Sequence, residues 1–374
     1  MGGLQFSIPQ RLFFIRIIVT IGLIISFFLS VNLWGGQRFF PSIPVFEQFF
    51  LKPPFDYALM VLSILFLIGS TIFYHTRSFI FLALLTNCFL VLFDLNRLQP
   101  WFYIYNAVLF IFLFYNGRVD NPDKFTAVFV FIQLIVASVY VYNGISQLRN
   151  PNFISTDFYD VILPLKKIMS ERQFNFFIGA GKITPFILIF VGVGMLIQPV
   201  KYLAISLGLT LHLILFILLF PSAHNSNFAL WFMNLVFGGI IVFLFSGKTR
   251  QSYFNHLVLF QKPLFYIVVF AFWIMPGMNS KQYWPDALSF NFKSGISAEE
   301  NILISEPEYA NLPFYVKGFC SKNNGAYLLQ VKSWCSHELR SEYFDQSVFA
   351  GKNLQNQLGL SVPYTFEQDE LSLR

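Results

Sequence analysis

A succession of long apolar runs is the feature of this sequence that most restricts its fold. A run of about 20 apolar residues is long enough to cross the hydrocarbon core of a bilayer as a helix. Only 12% of the 374 residues are charged, whereas a soluble domain usually carries about 25%. The sequence therefore predicts an all-α polytopic membrane bundle. Nine transmembrane helices are expected, at Ile17–Trp34, Tyr57–Tyr74, Phe79–Phe93, Trp101–Tyr115, Phe125–Tyr142, Ile183–Ile197, Tyr202–Phe220, Phe228–Phe245 and Pro263–Met275.

The pattern changes after residue 278, where hydrophobicity falls. Residues 1–278 are interpreted as a transmembrane helical domain, and residues 279–374 as a small soluble α+β tail. Within the tail, Asn301–Ser305 and Ala326–Val331 have the composition of strands, and Trp334–Phe344 has that of a helix. A domain this small has a marginal core of its own. We therefore expect the tail to pack on the membrane bundle.

Charge is divided unevenly between these two parts. Residues 1–278 hold 17 Lys and Arg against 8 Asp and Glu, whereas residues 279–374 hold 8 against 11. The cations of the first part are scattered between apolar runs, where they meet lipid headgroups. They form no basic stripe of the kind that binds nucleic acid. The most basic connector, residues 154–182, is predicted to form an interfacial amphipathic helix. The expected partner is thus the lipid bilayer, and no nucleic acid.

The connection between the third and fourth apolar runs is unusually polar. It contains Asp94, Arg97 and Gln99, followed by Trp101 and Tyr105. Charged groups near bilayer depth are costly, so they tend to be paired, to face inward and to be functional. Asp94 and Arg97 could orient the headgroup of a ligand or a quinone carbonyl. Alternatively, they form an internal ion pair that fixes the turn between two helices.

A second polar feature lies within and just beyond the fifth run. Gln133, Tyr140, Asn143 and Gln147 follow one another at spacings of 7, 3 and 4, which places them on one helical face. Such a row faces other helices rather than lipid. It could line a polar pocket or make hydrogen bonds between helices. His212, inside the seventh run, could be a redox or proton-relay group, or a histidine bonded to a neighbouring carbonyl.

Cysteine and histidine usage restricts the chemistry further. Cys320 and Cys335 lie in the tail and could form a disulfide in an oxidising compartment. His224 and His337 are not at metal-ligand spacing from any carboxylate, so no metal site is expected. The sequence has no phosphate loop, nucleophile elbow or zinc-protease motif.

The orientation in the membrane is suggested by two features at the ends of the chain. The cations on the two sides of a nine-helix bundle number 9 and 8, too close for the positive-inside rule to decide. Arg11 and Arg16, which precede the first run, favour an N-terminus on the inner side. A disulfide-capable tail favours a C-terminus on the outer side.

Several short motifs resemble those of the HTTM-type membrane proteins, of which the vitamin K-dependent γ-glutamyl carboxylase is the best-known member and which have DoxX- and MauE-like bacterial relatives. The resemblance extends over roughly residues 10–340 and implies a location in a bacterial cytoplasmic membrane. The matching residues are Asp94 followed by Tyr103 and Tyr105, the segment Gly144, Ile145, Ser146 and Leu148, the turn 224–227 with Trp231 and Asn234, and the segment 287–290.

Two departures from the family pattern concern its acid–base chemistry. The family's carboxylase has a lysine base that activates a reduced quinone, and this sequence has Gln147 at that position. An amide cannot take up a proton near neutral pH. A histidine expected shortly after the aspartate is replaced by Trp101. The resemblance therefore implies a shared scaffold without carboxylase activity.

Three functional hypotheses follow. In the first, the protein holds a lipophilic molecule, such as a quinone or a lipid, between helices, with its polar end at the two polar features described above. In the second, it is a non-catalytic membrane subunit whose tail docks a periplasmic or membrane protein partner. In the third, it is a redox or modification enzyme that uses His212 and Tyr140 in place of the absent lysine.

Overall fold

The structure of the protein is a computed structural model. Helices dominate it, and a small sheet lies in the C-terminal part. The structure describes residues 6–34, 40, 42–45, 54–115, 122–220, 228–247, 260–281, 284, 286–290, 301–323, 326–331, 334 and 358.

The helices follow the apolar runs of the sequence, and shorter helical turns connect some of them. In chain order they are α1 Ile8–Leu29, α2 Val31–Trp34, α3 Phe55–Ile72, α4 Ser78–Phe93, α5 Pro100–Phe112, α6 Pro122–Arg149, α7 Tyr159–Ile162, α8 Glu171–Gly181, α9 Thr184–Gly194, α10 Lys201–Leu218, α11 Phe228–Phe245, α12 Pro263–Val269, α13 Glu306–Asn311 and α14 Phe314–Lys317.

Five of these helices, α1, α3, α6, α10 and α11, are long and apolar enough to cross a membrane. Helices α8 and α9 form a pair bent by 47°, which would bring the number to six if the pair is one span. Helix α4 has 16 residues and α5 has 13. At about 1.5 Å per residue, both are shorter than a hydrocarbon core of about 30 Å. The nine crossings predicted from the sequence are therefore not confirmed in the part of the chain that the structure describes.

Helix α1 begins earlier than the sequence suggested. The side-chain oxygen of Gln10 accepts a hydrogen bond from the Ser7 N–H at 2.9 Å, which caps the first turn. Arg11 and Arg16 therefore lie inside the helix, and both are buried. The expectation that they precede the first helix was wrong. The Arg16 guanidinium is accommodated because it donates to the carbonyls of Tyr74 and Ser70 at the end of α3.

Close helix packing builds the bundle around α1, α6 and α11. Helix α1 packs along α11, and α6 packs along α9. At the second contact, a Cβ atom on Gly144 would lie 2.6 Å from the Pro185 carbonyl oxygen, and one on Gly192 would lie 2.7 Å from that of Ala137. Only glycine permits this approach of two backbones, as is common between membrane helices. Helix α6 is thereby enclosed along most of its length.

Residues 154–182 do not form the single amphipathic helix that was predicted. They consist of a π-helical turn at Ile154–Phe158, the short α7, a 3₁₀ turn at Leu163–Lys167, and α8. Pro164 lies in the 3₁₀ turn and cannot supply a backbone donor to a continuing α-helix. Ser170 then caps α8 by a reciprocal pair of hydrogen bonds with Gln173.

The tail contains a three-stranded antiparallel sheet. Its strands are β1 Asn301–Ile304, β2 Cys320–Asn323 and β3 Ala326–Gln330, in the order β1–β3–β2. The two predicted strands correspond to β1 and β3, and β2 was not predicted. Ile302 pairs with Leu329 across the sheet, and both are buried. The predicted helix Trp334–Phe344 lies outside the described residues, apart from Trp334.

A short segment of chain joins the tail to the bundle. The rings of Phe40 and Trp334 are in contact, with centroids 4.8 Å apart. A few residues along, the Ile43 carbonyl accepts from the Leu95 N–H at 2.8 Å, and the Val45 N–H donates to the Leu92 carbonyl at 2.9 Å. The tail therefore lies at the end of the bundle where α4 ends.

Candidate functional site

The polar connection after α4 is folded around a buried arginine. Asp94 is extended, and its carboxylate accepts from the Asn96 N–H at 3.2 Å, which caps the 3₁₀ turn Leu95–Arg97. This turn directs Arg97 back into the bundle. Its guanidinium donates to the Trp34 carbonyl at 2.9 Å and to those of Leu33 and Leu90 at 3.3 Å.

Two carboxylates also lie beside this arginine. Arg97 Nε lies 3.5 Å from Asp94 Oδ2, and Nη2 lies 3.6 Å from Asp56 Oδ2. All three side chains are buried. We call Asp56, Asp94 and Arg97 the Arg97 cluster. Because it joins α2, α3 and α4 and satisfies the guanidinium internally, its geometry is that of a structural ion pair that fixes helix ends.

Gln99, Trp101 and Tyr105 follow the cluster into α5 and are fully buried. The Gln99 amide donates to the Asn96 carbonyl at 2.8 Å. The Trp101 ring lies 6.2 Å from that of Tyr105, centroid to centroid. The Trp101 indole N–H has no hydrogen-bond partner among the described residues. The hydroxyls of Tyr105 and of Ser26 on α1 are likewise buried without a hydrogen-bond partner among these residues.

The four polar residues predicted on one face of α6 do lie on one continuous helix. The amide N–H of Gln133, in the first half of the helix, donates to the Leu244 carbonyl at 2.9 Å. We call Tyr140, Asn143 and Gln147 the polar row. The Gln147 amide donates to Asn143 Oδ1 at 3.3 Å. Its own oxygen, Oε1, is buried and accepts no hydrogen bond within the described part of the chain.

The inner end of the polar row is a hydrogen-bonded chain across three helices. Asn234 on α11 donates through Nδ2 to the Leu230 carbonyl at 3.0 Å, so its Oδ1 faces His212 Nδ1, which is also 3.0 Å away. His212 Nδ1 must therefore carry the proton. Nε2 is then the acceptor for the Tyr140 hydroxyl. The chain fixes one neutral tautomer of the histidine in an apolar environment.

The candidate residues form two groups, on two sides of α11. Val236 packs against Gly22 beside the Tyr105 ring. The next residue, Phe237, packs instead against Tyr140 and His212. The Arg97 cluster with Trp101 and Tyr105 is thus one group, and the polar row with His212 is the other. The single polar end expected from the sequence is divided by a helix.

Some of the polar contacts were missed by sequence reasoning. Asp56 was not recognised as the second carboxylate of the Arg97 cluster. A further network runs from Ser63 on α3 to Asn87 on α4 at 2.5 Å, and from Asn87 to Asn106 on α5 at 2.7 Å. The available signal was the presence of a polar side chain near the middle of each of three apolar runs, since such residues face other helices in a membrane bundle.

Few of the described residues could bind a metal ion or react through a thiol. The described residues contain no group of three or more His, Cys, Asp or Glu side chains that could hold a metal ion. Cys320 Sγ donates to the Val316 carbonyl at 3.7 Å, and burial raises the pKa of this thiol to about 11 despite the nearby Lys317. Cys335, like His224 and His337, lies outside the described residues, so the disulfide stays a prediction.

Comparison of the chain with family models, with curated proteins and with solved structures finds no match in any of the three.

Proposed function

We propose that this membrane protein binds a lipophilic molecule between helices, and that the polar row forms the polar end of the binding site. The observation that carries the proposal is Gln147 Oε1, a buried amide oxygen without a hydrogen-bond partner in the described structure. A buried acceptor left unsatisfied costs about 1–3 kcal/mol. A bound molecule that donates a hydrogen bond to Gln147 would remove this cost.

The position of the row fits a ligand that enters from the lipid. Asn143 is only half-buried, and Gln147 lies at the edge of the enclosed region. On α10, Leu213 follows His212 directly and is exposed on the outer surface of the bundle. The Trp101 indole and the Tyr105 hydroxyl, the other buried groups with an unmet hydrogen bond among the candidates, are fully enclosed. The polar row is therefore more accessible than either.

The chemistry of the row restricts the ligand class. An amide oxygen accepts hydrogen bonds, so the ligand must carry a donor. A quinone in its reduced, hydroxyl-bearing form and a lipid headgroup with a hydroxyl or ammonium group both satisfy this condition. Gln147 cannot act as a base near neutral pH, and the Trp101 indole is a donor only. We therefore propose binding on an HTTM-like scaffold without carboxylase activity.

Extraction of the purified protein tests the proposal. Lipophilic molecules that co-purify in mild detergent are quantified by mass spectrometry for the wild type, Gln147→Leu and Gln133→Leu. Gln133 is the matched control, because it lies on the same face of α6 and is bonded to the Leu244 carbonyl. We expect one stoichiometric species in the wild type and the control. Loss of one hydrogen bond of about 1 kcal/mol should reduce retention about fivefold in Gln147→Leu.

Two outcomes would count against the proposal. Bulk bilayer lipid alone in the wild type would show that the row holds no specific molecule. Equal retention in Gln147→Leu and the wild type would show that a specific ligand binds elsewhere, for example beside Trp101. In both cases, the lack of a hydrogen-bond partner for Gln147 Oε1 would reflect only the way α6 packs.

A second candidate function, docking of a partner protein by the tail, is favoured by one exposed side chain. Phe314 at the start of α14 is 92% exposed, and Tyr315 beside it is also exposed. A photo-crosslinking residue at position 314 should yield one discrete protein adduct in membranes, and the same residue at the exposed position of Glu306 should not. Identical adduct patterns at both positions would contradict docking through α14.

A further inference from the structure

Two buried cations meet at one end of the bundle, far in sequence from the polar row. Arg11 lies near the start of α1, and Lys201 is the first residue of α10; both are at least nine-tenths buried. Both contact Gly247, just after the end of α11. Lys201 Nζ donates to the Gly247 carbonyl at 3.3 Å. A Cβ atom on Gly247, whose φ is +119°, would lie 1.9 Å from Arg11 Nη2.

No carboxylate among the described residues forms an ion pair with Arg11. Its Nε donates to the Phe6 carbonyl at 3.1 Å, but Nη1 is buried and has no hydrogen-bond partner among these residues. The sequence contains no Asp or Glu in residues 1–46 or 172–285. Helices α1, α10 and α11 therefore offer no carboxylate to this end of the bundle.

Physical chemistry favours an external anion at this position. A buried charge without a counter-ion is costly, and a second cation close by adds repulsion. Arg11 and Lys201 are close enough to interact electrostatically. The N-terminus of α10, an 18-residue helix, adds the positive end of its dipole. An anion in contact with Arg11 Nη1 would offset all three contributions.

We propose that Arg11 and Lys201, at the start of α10, bind a phosphate group. The guanidinium and the ammonium group together supply donors in several directions, which suits a tetrahedral oxyanion better than a planar carboxylate. Two sources share this chemistry: the headgroup phosphate of an anionic lipid, which a membrane supplies at its surface, and free inorganic phosphate. The site is independent of the ligand proposed for the polar row.

The experiment measures the thermal unfolding midpoint of the full chain in nanodiscs. The protein is first exchanged into phosphatidylcholine alone. In one arm phosphatidylglycerol is then introduced stepwise; in the other, inorganic phosphate is titrated at constant ionic strength set with chloride. Wild type is compared with three variants. Lys201→Gln removes the ammonium group, and Arg11→Lys keeps the charge but removes the planar guanidinium. Arg77→Gln removes an exposed cation and serves as the control.

We expect the midpoint of the wild type and of Arg77→Gln to rise in one of the two arms. A response to phosphatidylglycerol identifies a lipid headgroup, and a response to phosphate identifies the free ion. The half-saturating amount should increase about tenfold or more in Lys201→Gln and Arg11→Lys, as expected for the loss of a charge-assisted hydrogen bond. The absence of a response in both arms, or an equal response of Lys201→Gln and the wild type, would overturn the proposal.

Discussion

Replacement of Arg97 by methionine tests whether the Arg97 cluster holds the helix ends together. The guanidinium is bonded to three backbone carbonyls and lies within 3.6 Å of the carboxylates of Asp56 and Asp94. Methionine is of similar length and apolar, so the variant removes the charge without leaving a large cavity. Two buried carboxylates then lose the guanidinium of Arg97.

The magnitude follows from these distances. At an effective dielectric constant of about 20, charges about 3.5 Å apart attract by roughly 5 kcal/mol before desolvation is counted. Removal of one partner of a buried pair typically costs about 3–5 kcal/mol, because the remaining charge is left uncompensated. We expect Arg97→Met to lie at the upper end of this range, since it leaves two carboxylates. If Asp56 and Asp94 are also changed to Asn, most of the cost should be recovered.

The free energy of unfolding of the purified protein in mixed micelles, titrated with SDS, measures this effect. Arg77→Met is the control; this side chain is exposed before α4, so its loss should change stability by less than about 0.5 kcal/mol. An Arg97→Met cost below about 1 kcal/mol would refute the reasoning. So would a triple variant less stable than Arg97→Met, because the carboxylates would then not be the source of the cost.

Three further predictions concern other parts of the molecule. Gly144→Ala should destabilise the α6–α9 contact by about 1–3 kcal/mol in the same SDS titration, because its Cβ would meet the Pro185 carbonyl, whereas Gly179→Ala meets nothing within 4 Å and should not destabilise. In reduced protein, the rate of Cys320 alkylation should rise about tenfold per pH unit from pH 7 to pH 10, since its thiol pKa is raised to about 11 and only the thiolate reacts. The rate is measured by mass spectrometry, and a plateau near pH 8 would contradict this prediction. Gln147→Lys should not create quinol-dependent carboxylation of peptides, measured by incorporation of labelled bicarbonate, and any gain would contradict the absence of carboxylase machinery.

The limits of a helix could be predicted where polar residues in the sequence mark both of its ends. The apolar run Phe228–Phe245 is bounded by polar residues, and α11 has the same limits. Helix α1 was placed too late, because Arg11 and Arg16 were placed before the first apolar run, whereas Arg16 lies inside the helix and donates to carbonyls at the end of α3. Helix α6 continues past Tyr142 to Arg149, as the helical spacing of Asn143 and Gln147 beyond the apolar run already indicated. The early start of α1 depends on a tertiary contact that no local pattern contains.

The same distinction applies to the candidate site. Asp94 and Arg97 are three residues apart in sequence, so their spacing alone was enough to expect an ion pair between them. Asp56 reaches the same guanidinium from a different helix, and nothing in its neighbourhood indicates this partner. Tyr140 and His212 were each singled out as polar residues in apolar runs. Their hydrogen bond joins residues 72 positions apart, so only the packing of α6 against α10 and α11 could show it.

The most direct test of the central claim is a cryo-electron microscopy map of the protein extracted with its native lipids. The account predicts non-protein density beside the polar row, with a polar atom within about 3.2 Å of Gln147 Oε1, the distance of a hydrogen bond. The density should continue as an apolar chain toward the lipid-facing side of α10. A well-resolved Gln147 whose oxygen is bonded to protein alone, with no density beside Asn143, would contradict the claim that this row binds a ligand.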